Sequence, residues 1–319
     1  MKDMNYIDVH VHPLTSVENI VNSARRAGVD KIFLLAIEIY PKALDRSRVR
    51  DFLKRLSLES VFMIDLEIYK MYGVSDLREA LRRFFDQLIE RYGGEKYLSE
   101  DVASIASSVK EIDVIPFGSV YPDLNLDVLN RRLETFLKIG VRGVKLLPTL
   151  QLFDPSSSEG FLRILEFAER NRMIVTIHTG CDPGPFEIPL LSQWANPIRL
   201  MKVLEIYSPT MILAHTGSYC AYRYGIWFNE AVRVMKKFDN VYGDTAAVND
   251  YLFYSEKTVD TLRREVGFER VLFGSDYPVV LGSDIESEVN IVLESPYLTS
   301  REKELVLRDN AIELVKRLR

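Results

Sequence analysis

The chain contains four histidines, and each stands at the end of a short apolar run. His10 and His12 lie in Ile7-Asp8-Val9-His10-Val11-His12-Pro13, His178 closes Ile174-Val175-Thr176-Ile177, and His215 closes Met211-Ile212-Leu213-Ala214. A carboxylate, Asp276, ends Val271-Leu272-Phe273-Gly274-Ser275 in the same manner. One histidine so placed is ordinarily a core or rim residue satisfied by a neighbour. Every histidine of the chain in such a place, with an aspartate added, is not a pattern that packing preference produces. Zn²⁺ accepts neutral imidazole and carboxylate, and a catalytic site keeps a position open for water. The pKa of that water falls toward ~7, and an adjacent histidine or aspartate can move its proton. The expected chemistry is therefore acid–base work at a divalent metal of zinc type, although a harder ion such as manganese also accepts this donor set. Cys181 and Cys220 lie beyond their strand ends and in no Cys-x-x-Cys spacing, so thiolate ligation is not expected. A nucleophilic Cys181 would need a free activating base, and His178 is committed elsewhere.

These residues need strands to hold them. In Ile7–His12 the apolar Ile7, Val9 and Val11 alternate with Asp8, His10 and His12, so one face packs outward and the other points inward. Two imidazoles two residues apart then project in parallel, a little under ~7 Å apart along the strand. Strands are expected at Tyr6–His12, Lys31–Ile37, Val114–Val120, Gly143–Leu147, Ile174–His178, Met211–His215, Val241–Thr245 and Val271–Asp276. Amphipathic stretches alternate with them, which predicts βα units and a parallel sheet. The fold class is a single α/β (β/α)8 TIM barrel, whose active site forms at the carboxyl ends of the strands. A helix is expected over Asp127–Ile139, with Val128, Leu129, Leu133, Phe136 and Leu137 on one face and a stop at Gly140. Asn196-Pro197 opens a helix to about Tyr207, and Thr299 with Glu302 has capping-box spacing. One domain spans residues 1–319, with an insertion over about 42–98 between the second and third strands. The insertion is expected to hold a strand (Ser60–Ile68) and a helix (Asp76 to Tyr92), and to pack over the barrel mouth.

The composition is that of a soluble globular protein, with 47% hydrophobic and 27% charged residues. A formal net charge of −5 argues against nucleic-acid and anionic-membrane partners. No apolar run is long enough to span a bilayer, the N-terminus shows no signal-peptide pattern, and two cysteines are too few for a disulfide scaffold. A cytoplasmic location is the expectation.

With these motifs in hand, the sequence resembles the amidohydrolase superfamily. It is similar to the branch that contains aminocarboxymuconate-semialdehyde decarboxylase and the resorcylate decarboxylases. The narrower likeness rests on Gly140-Val141-Arg142-Gly143-Val144-Lys145-Leu146-Leu147-Pro148, Ile177-His178-Thr179-Gly180 and Leu272-Phe273-Gly274-Ser275-Asp276-Tyr277-Pro278. The resemblance implies His10, His12, His178 and Asp276 as metal ligands. It implies His215 as a further ligand or as the residue that orients and deprotonates water, with Asp276 also carrying a proton. Two-metal relatives carboxylate a lysine at the position of Lys145. One-metal members carry it unmodified, and the resemblance implies that case here, with one divalent ion, Zn²⁺, per chain. Read without the resemblance, Lys145 pairs with an interior carboxylate such as Asp8 or Glu38.

Candidates for substrate binding are Arg223 in the loop after the sixth strand, Arg46 and Arg48 at the start of the insertion, and Lys145. Any of the arginines could clamp a carboxylate with its planar fork; each taken alone also reads as an exposed surface arginine. Tyr219, Tyr222, Tyr224, Trp227 and Phe228 crowd one loop and read as a pocket lining or as the surface of a homodimer. Two reactions fit the same ligands: hydrolysis of a small, carboxylated substrate through metal-activated water, or non-oxidative decarboxylation or hydration of a small aromatic or unsaturated acid. A non-catalytic barrel would show lost ligands, and none is lost.

Overall fold

Each βα repeat supplies one strand to a ring of eight, and the ring is what brings residues 10 and 276 of the sequence together. The computed structural model describes residues 5–38, 63–64, 66–70, 73, 79–81, 83 and 98–318. Its strands are β1 (Tyr6–Val11), β2 (Val29–Leu35), β3 (Asp113–Ser119), β4 (Gly143–Leu146), β5 (Ile174–Gly180), β6 (Met211–Tyr219), β7 (Val241–Asp244) and β8 (Val271–Leu272). They pair in parallel in sequence order. β8 is short, and the ring is completed by the segment after it. Val9 donates to the Phe273 carbonyl at 3.0 Å, Asp276 to that of His10 at 2.9 Å and His12 to that of Tyr277 at 2.8 Å. The bonds that join the two ends of the barrel therefore set Asp276 beside the β1 histidines.

Alternation along the strands separates two environments. Val11 packs with Ile20, Val21 and Ala24 of the helix Val17–Arg26 in an outer core. A second outer core gathers Val144, Leu146, Val175 and Leu213 under the helices Leu126–Lys138 and Glu159–Asn171. Phe33, Leu35, Ile115, Phe117, Ile174 and Ile212 share another cluster, in which the Phe33 and Phe117 rings stack with centroids 4.9 Å apart. A Cβ on Gly143 would meet the Phe117 ring at 2.1 Å, so only glycine fits two residues below Lys145. This apolar floor underlies a polar layer at the carboxyl ends.

Several sequence expectations need correction. The strand expected over Ser60–Ile68 is absent from its described part: residues 63–64 and 66–70 are helical. Ile64 and Ile68 are buried, one helical turn apart, while Met63 and Leu66 are exposed, a spacing of helical period. Residues 79–81 and 83 are helical; the rest of the helix expected over Asp76–Tyr92 lies outside the described residues. Ile64, Ile68, Ala80 and Leu81 pack with Leu147 and Leu150 after β4 and with Phe186, Leu191 and Trp194 after β5. Val128 and Leu137 are exposed rather than on the buried face of their helix. The helix expected from Asn196 breaks into two 3₁₀ turns, Pro197–Leu200 and Val203–Glu205. Among the described residues no helix is long and apolar enough to cross a membrane.

Candidate metal centre

β1 ends in an alternation that aims His10 and His12 at one point. Their Nε2 atoms are 3.2 Å apart, and Asp276 Oδ1 lies 3.3 Å from the first and 3.4 Å from the second. All three side chains are buried. The second nitrogen of each ring fixes its tautomer. His10 Nδ1 donates to Asp244 Oδ2 at 2.8 Å and His12 Nδ1 to the Leu35 carbonyl at 2.9 Å, so both Nε2 atoms carry lone pairs. Two lone pairs and a carboxylate oxygen at such distances call for positive charge beside them; Lys145 Nζ, 3.2 Å from His10 Nε2, supplies part of it, and a divalent ion would supply the rest. Ligands at ~2.0–2.1 Å from a tetrahedral ion are separated by about 3.3 Å, which is the spacing found. The donor set fits a divalent metal.

The other two histidines follow the same rule. His215 Nδ1 donates to the Ala246 carbonyl at 2.7 Å, leaving Nε2 free, and His178 Nε2 donates to the Cys181 carbonyl at 2.9 Å, leaving Nδ1 free. A ligand histidine ordinarily donates its second N–H to an oxygen that holds its orientation, and all four rings do so. The His215 ring centroid stands 5.0 Å from that of His10 and 4.8 Å from that of His178. His178 stands outside the His10–His12–Asp276 triangle.

Electrostatics keep the ring nitrogens available. Burial holds His10, His178 and His215 below the usual imidazole range; the Lys145 charge adds to this for His10 and the neighbouring His215 for His178. Burial alone would raise Asp276, but His12, His10 and His215 hold its carboxyl below the usual carboxylate range. Lys145 is buried, with Nζ 3.2 Å from His10 Nε2, and burial lowers its pKa against the pull of Asp244, Asp276 and Asp182. The pairing of Lys145 with Asp8 or Glu38 is not found. Glu38 instead accepts from Ser99 and Arg132, and Asp8 Oδ1 accepts from the His10 and Ser275 amides.

Two site residues lie on backbone that non-glycine residues seldom adopt: His215 has φ 62° and Asp276 φ 61°. Asp244 compensates for the first, accepting from the His215 amide at 2.7 Å while its other oxygen holds His10. The sequence reading missed Asp244, although a carboxylate ending Val241-Tyr242-Gly243 carries the same signal as Asp276. It also missed the buried Asp182, whose Oδ1 lies 3.3 Å from His178 Nε2 and whose pKa burial pushes up to about 7. Asp182 lies in a loop, where no strand pattern marks it. Arg223 is exposed. Arg46 and Arg48 lie outside the described residues.

The amidohydrolase family pattern matches residues 7–317. No curated protein matches the sequence. Among solved structures, an uncharacterised TIM-barrel protein from Bordetella bronchiseptica is 16% identical with a TM-score of 0.64, over 98% of this chain and 99% of that one. A proposed 2-pyrone-4,6-dicarboxylic acid hydrolase from Pseudomonas putida is 15% identical with a TM-score of 0.60, over 98% of each chain. A 2,6-dihydroxybenzoate decarboxylase from Rhizobium is 12% identical with a TM-score of 0.58, over 99% of each. At these identities the structures speak for the fold, and the pattern over nearly the whole length speaks for descent: the chain belongs to the amidohydrolase family.

Proposed function

We propose that the protein is a zinc-dependent hydrolase that opens an ester, lactone or amide bond in a small carboxylated molecule. The observation that carries this reading is the triangle of two imidazole lone pairs and one carboxylate oxygen at 3.2–3.4 Å. His10, His12 and Asp276 would hold the ion, with His178 offering Nδ1. A divalent ion held there would supply Lewis acidity and make water a better nucleophile at neutral pH. His215, neutral through burial and fixed by Ala246, is built to accept a proton from water and return it to the leaving group. Asp276, held ionised, shares that proton traffic. Lys145, an unmodified amine in this reading, is the buried cation that would meet a substrate carboxylate, with Arg223, Arg46 or Arg48 as a second anchor. A carboxylated substrate is also what the names of the Pseudomonas and Rhizobium proteins describe.

The test pairs substrates with metal analysis. Lactones, esters and amides of small dicarboxylic acids should release acid in the presence of the zinc-loaded protein. His215→Ala should retain its metal by elemental analysis and lose 10²–10⁴-fold in turnover. Release of CO₂ from aromatic acids without hydrolysis of any member of the panel would replace this reading with decarboxylation. Equal metal loss in His215→Ala and His10→Ala would make His215 a ligand.

A further inference from the structure

β5 runs to Gly180 and β6 to Tyr219, and these two residues are partners across the sheet. The strands approach closely here. A Cβ on Gly180 would lie 2.6 Å from the Tyr219 carbonyl, and the Cys181 amide donates to that carbonyl at 2.7 Å. The next residue on each side is a cysteine, and both cysteines are buried free thiols. Glu187, at the end of the 3₁₀ turn Gly184–Glu187, folds back onto them. Its carbonyl accepts from the Cys220 thiol at 3.4 Å, and its carboxylate accepts from the Ala221 amide at 2.8 Å. Cys181 Sγ, Cys220 Sγ and a Glu187 carboxylate oxygen all lie within 4.8 Å of one another.

This cluster has acids and no counter-charge. Glu187 is 8% exposed, and beyond the Ala221 amide its carboxylate meets the neutral Tyr219 hydroxyl, at 3.5 Å, and the Cys220 thiol. Among the described residues no lysine or arginine pairs with it. A buried carboxylate without a cation is costly, and two thiols beside it are the softer donors that zinc prefers in structural sites. We propose that Cys181, Cys220 and Glu187 form a second divalent-metal site, of the thiolate type, that ties the end of β5 to the end of β6. Loading releases two thiol protons: one Zn²⁺, two thiolates and one carboxylate leave the site with a single net negative charge. With three protein ligands the ion would keep a fourth position for water, and the role of the site is to hold the two strand ends. It braces the Cys181 carbonyl that fixes His178, and none of its three side chains belongs to the centre at His10, so it stands whether or not the hydrolase reading does.

Cobalt(II) distinguishes the two sites, because a thiolate ligand gives a near-ultraviolet charge-transfer band that imidazole and carboxylate do not. Protein purified under reducing conditions, stripped of metal and titrated with Co²⁺, should bind two equivalents and show the band. Cys220→Ser and Cys181→Ser should each lose the band and one equivalent, and retain the equivalent bound at the histidines. A wild-type protein saturated with Co²⁺ that shows no band overturns the proposal without recourse to any variant. So does a band that persists in Cys220→Ser, or a thiol titration showing that the two cysteines are joined in a disulfide in the reduced preparation.

Discussion

Each histidine of this chain donates one ring N–H to an oxygen of the scaffold and keeps a lone pair on the other nitrogen, which is the division a metal centre requires. Asp244 does two of these tasks at once, taking the N–H of His10 and the amide of His215. Asp244→Asn should therefore weaken metal binding 10–100-fold, measured by competition with a chromogenic chelator, while the circular dichroism spectrum stays that of the wild type. Unchanged affinity would mean that the carboxylate serves the fold alone. The four histidines and Asp276 were legible as candidate ligands because a polar residue ending an apolar strand is conspicuous. Asp244 was hidden by one residue, since β7 stops there and the pattern continues through Thr245. Asp182 comes to His178 through loop geometry, and Glu187 to the two cysteines through a turn, which leaves no period in the sequence.

Elements were read well where one period dominates and poorly where two compete. Eight strands overlap the expected ranges, because a parallel strand buried on both faces has few other ways to spend such residues, but β2 is shifted to Val29–Leu35 and β8 keeps only Val271–Leu272 of Val271–Asp276. In Ser60–Ile68 apolar residues fall both two and four apart; contact of Ile64 and Ile68 with Leu147 and Trp194 accompanies the helical choice. The expected capping box is present at the helix Ser300–Glu304: Thr299 accepts from the Glu302 amide, and Glu302 accepts from that of Thr299 at 2.8 Å. Arg263 also holds Glu302, linking this turn to the helix Glu256–Glu265. Thr299→Ala should cost about 1 kcal/mol of stability in urea unfolding, with metal content unchanged because the side chains of the box bond to one another and to Arg263 rather than to the histidines. A loss of metal along with the cap would show the C-terminal helices to be coupled to the site.

At the scale of the whole molecule the barrel closes through its own centre. β1 and the segment after β8 are joined by hydrogen bonds at His10, His12 and Asp276, and the same three residues present their donors to one point. Without an ion, lone pairs and a carboxylate face each other in a buried place, and that repulsion opposes closure. A metal that binds the folded chain and not the unfolded one adds RT ln(1 + [M]/Kd), about 2.7 kcal/mol at a hundredfold excess over Kd. Chelation should therefore lower Tm by a few degrees, at about 1.5 °C per kcal/mol for a chain of 319 residues whose unfolding entropy is about 2.1 cal/mol/K per residue, and added zinc should restore it. His12→Ala should start from a lower Tm and respond less to chelator, because a ligand and a closure residue are lost together. If the wild-type Tm does not move on complete removal of metal, confirmed by elemental analysis, the ring closes without help from an ion, and the spacing of His10, His12 and Asp276 reflects packing rather than ligation.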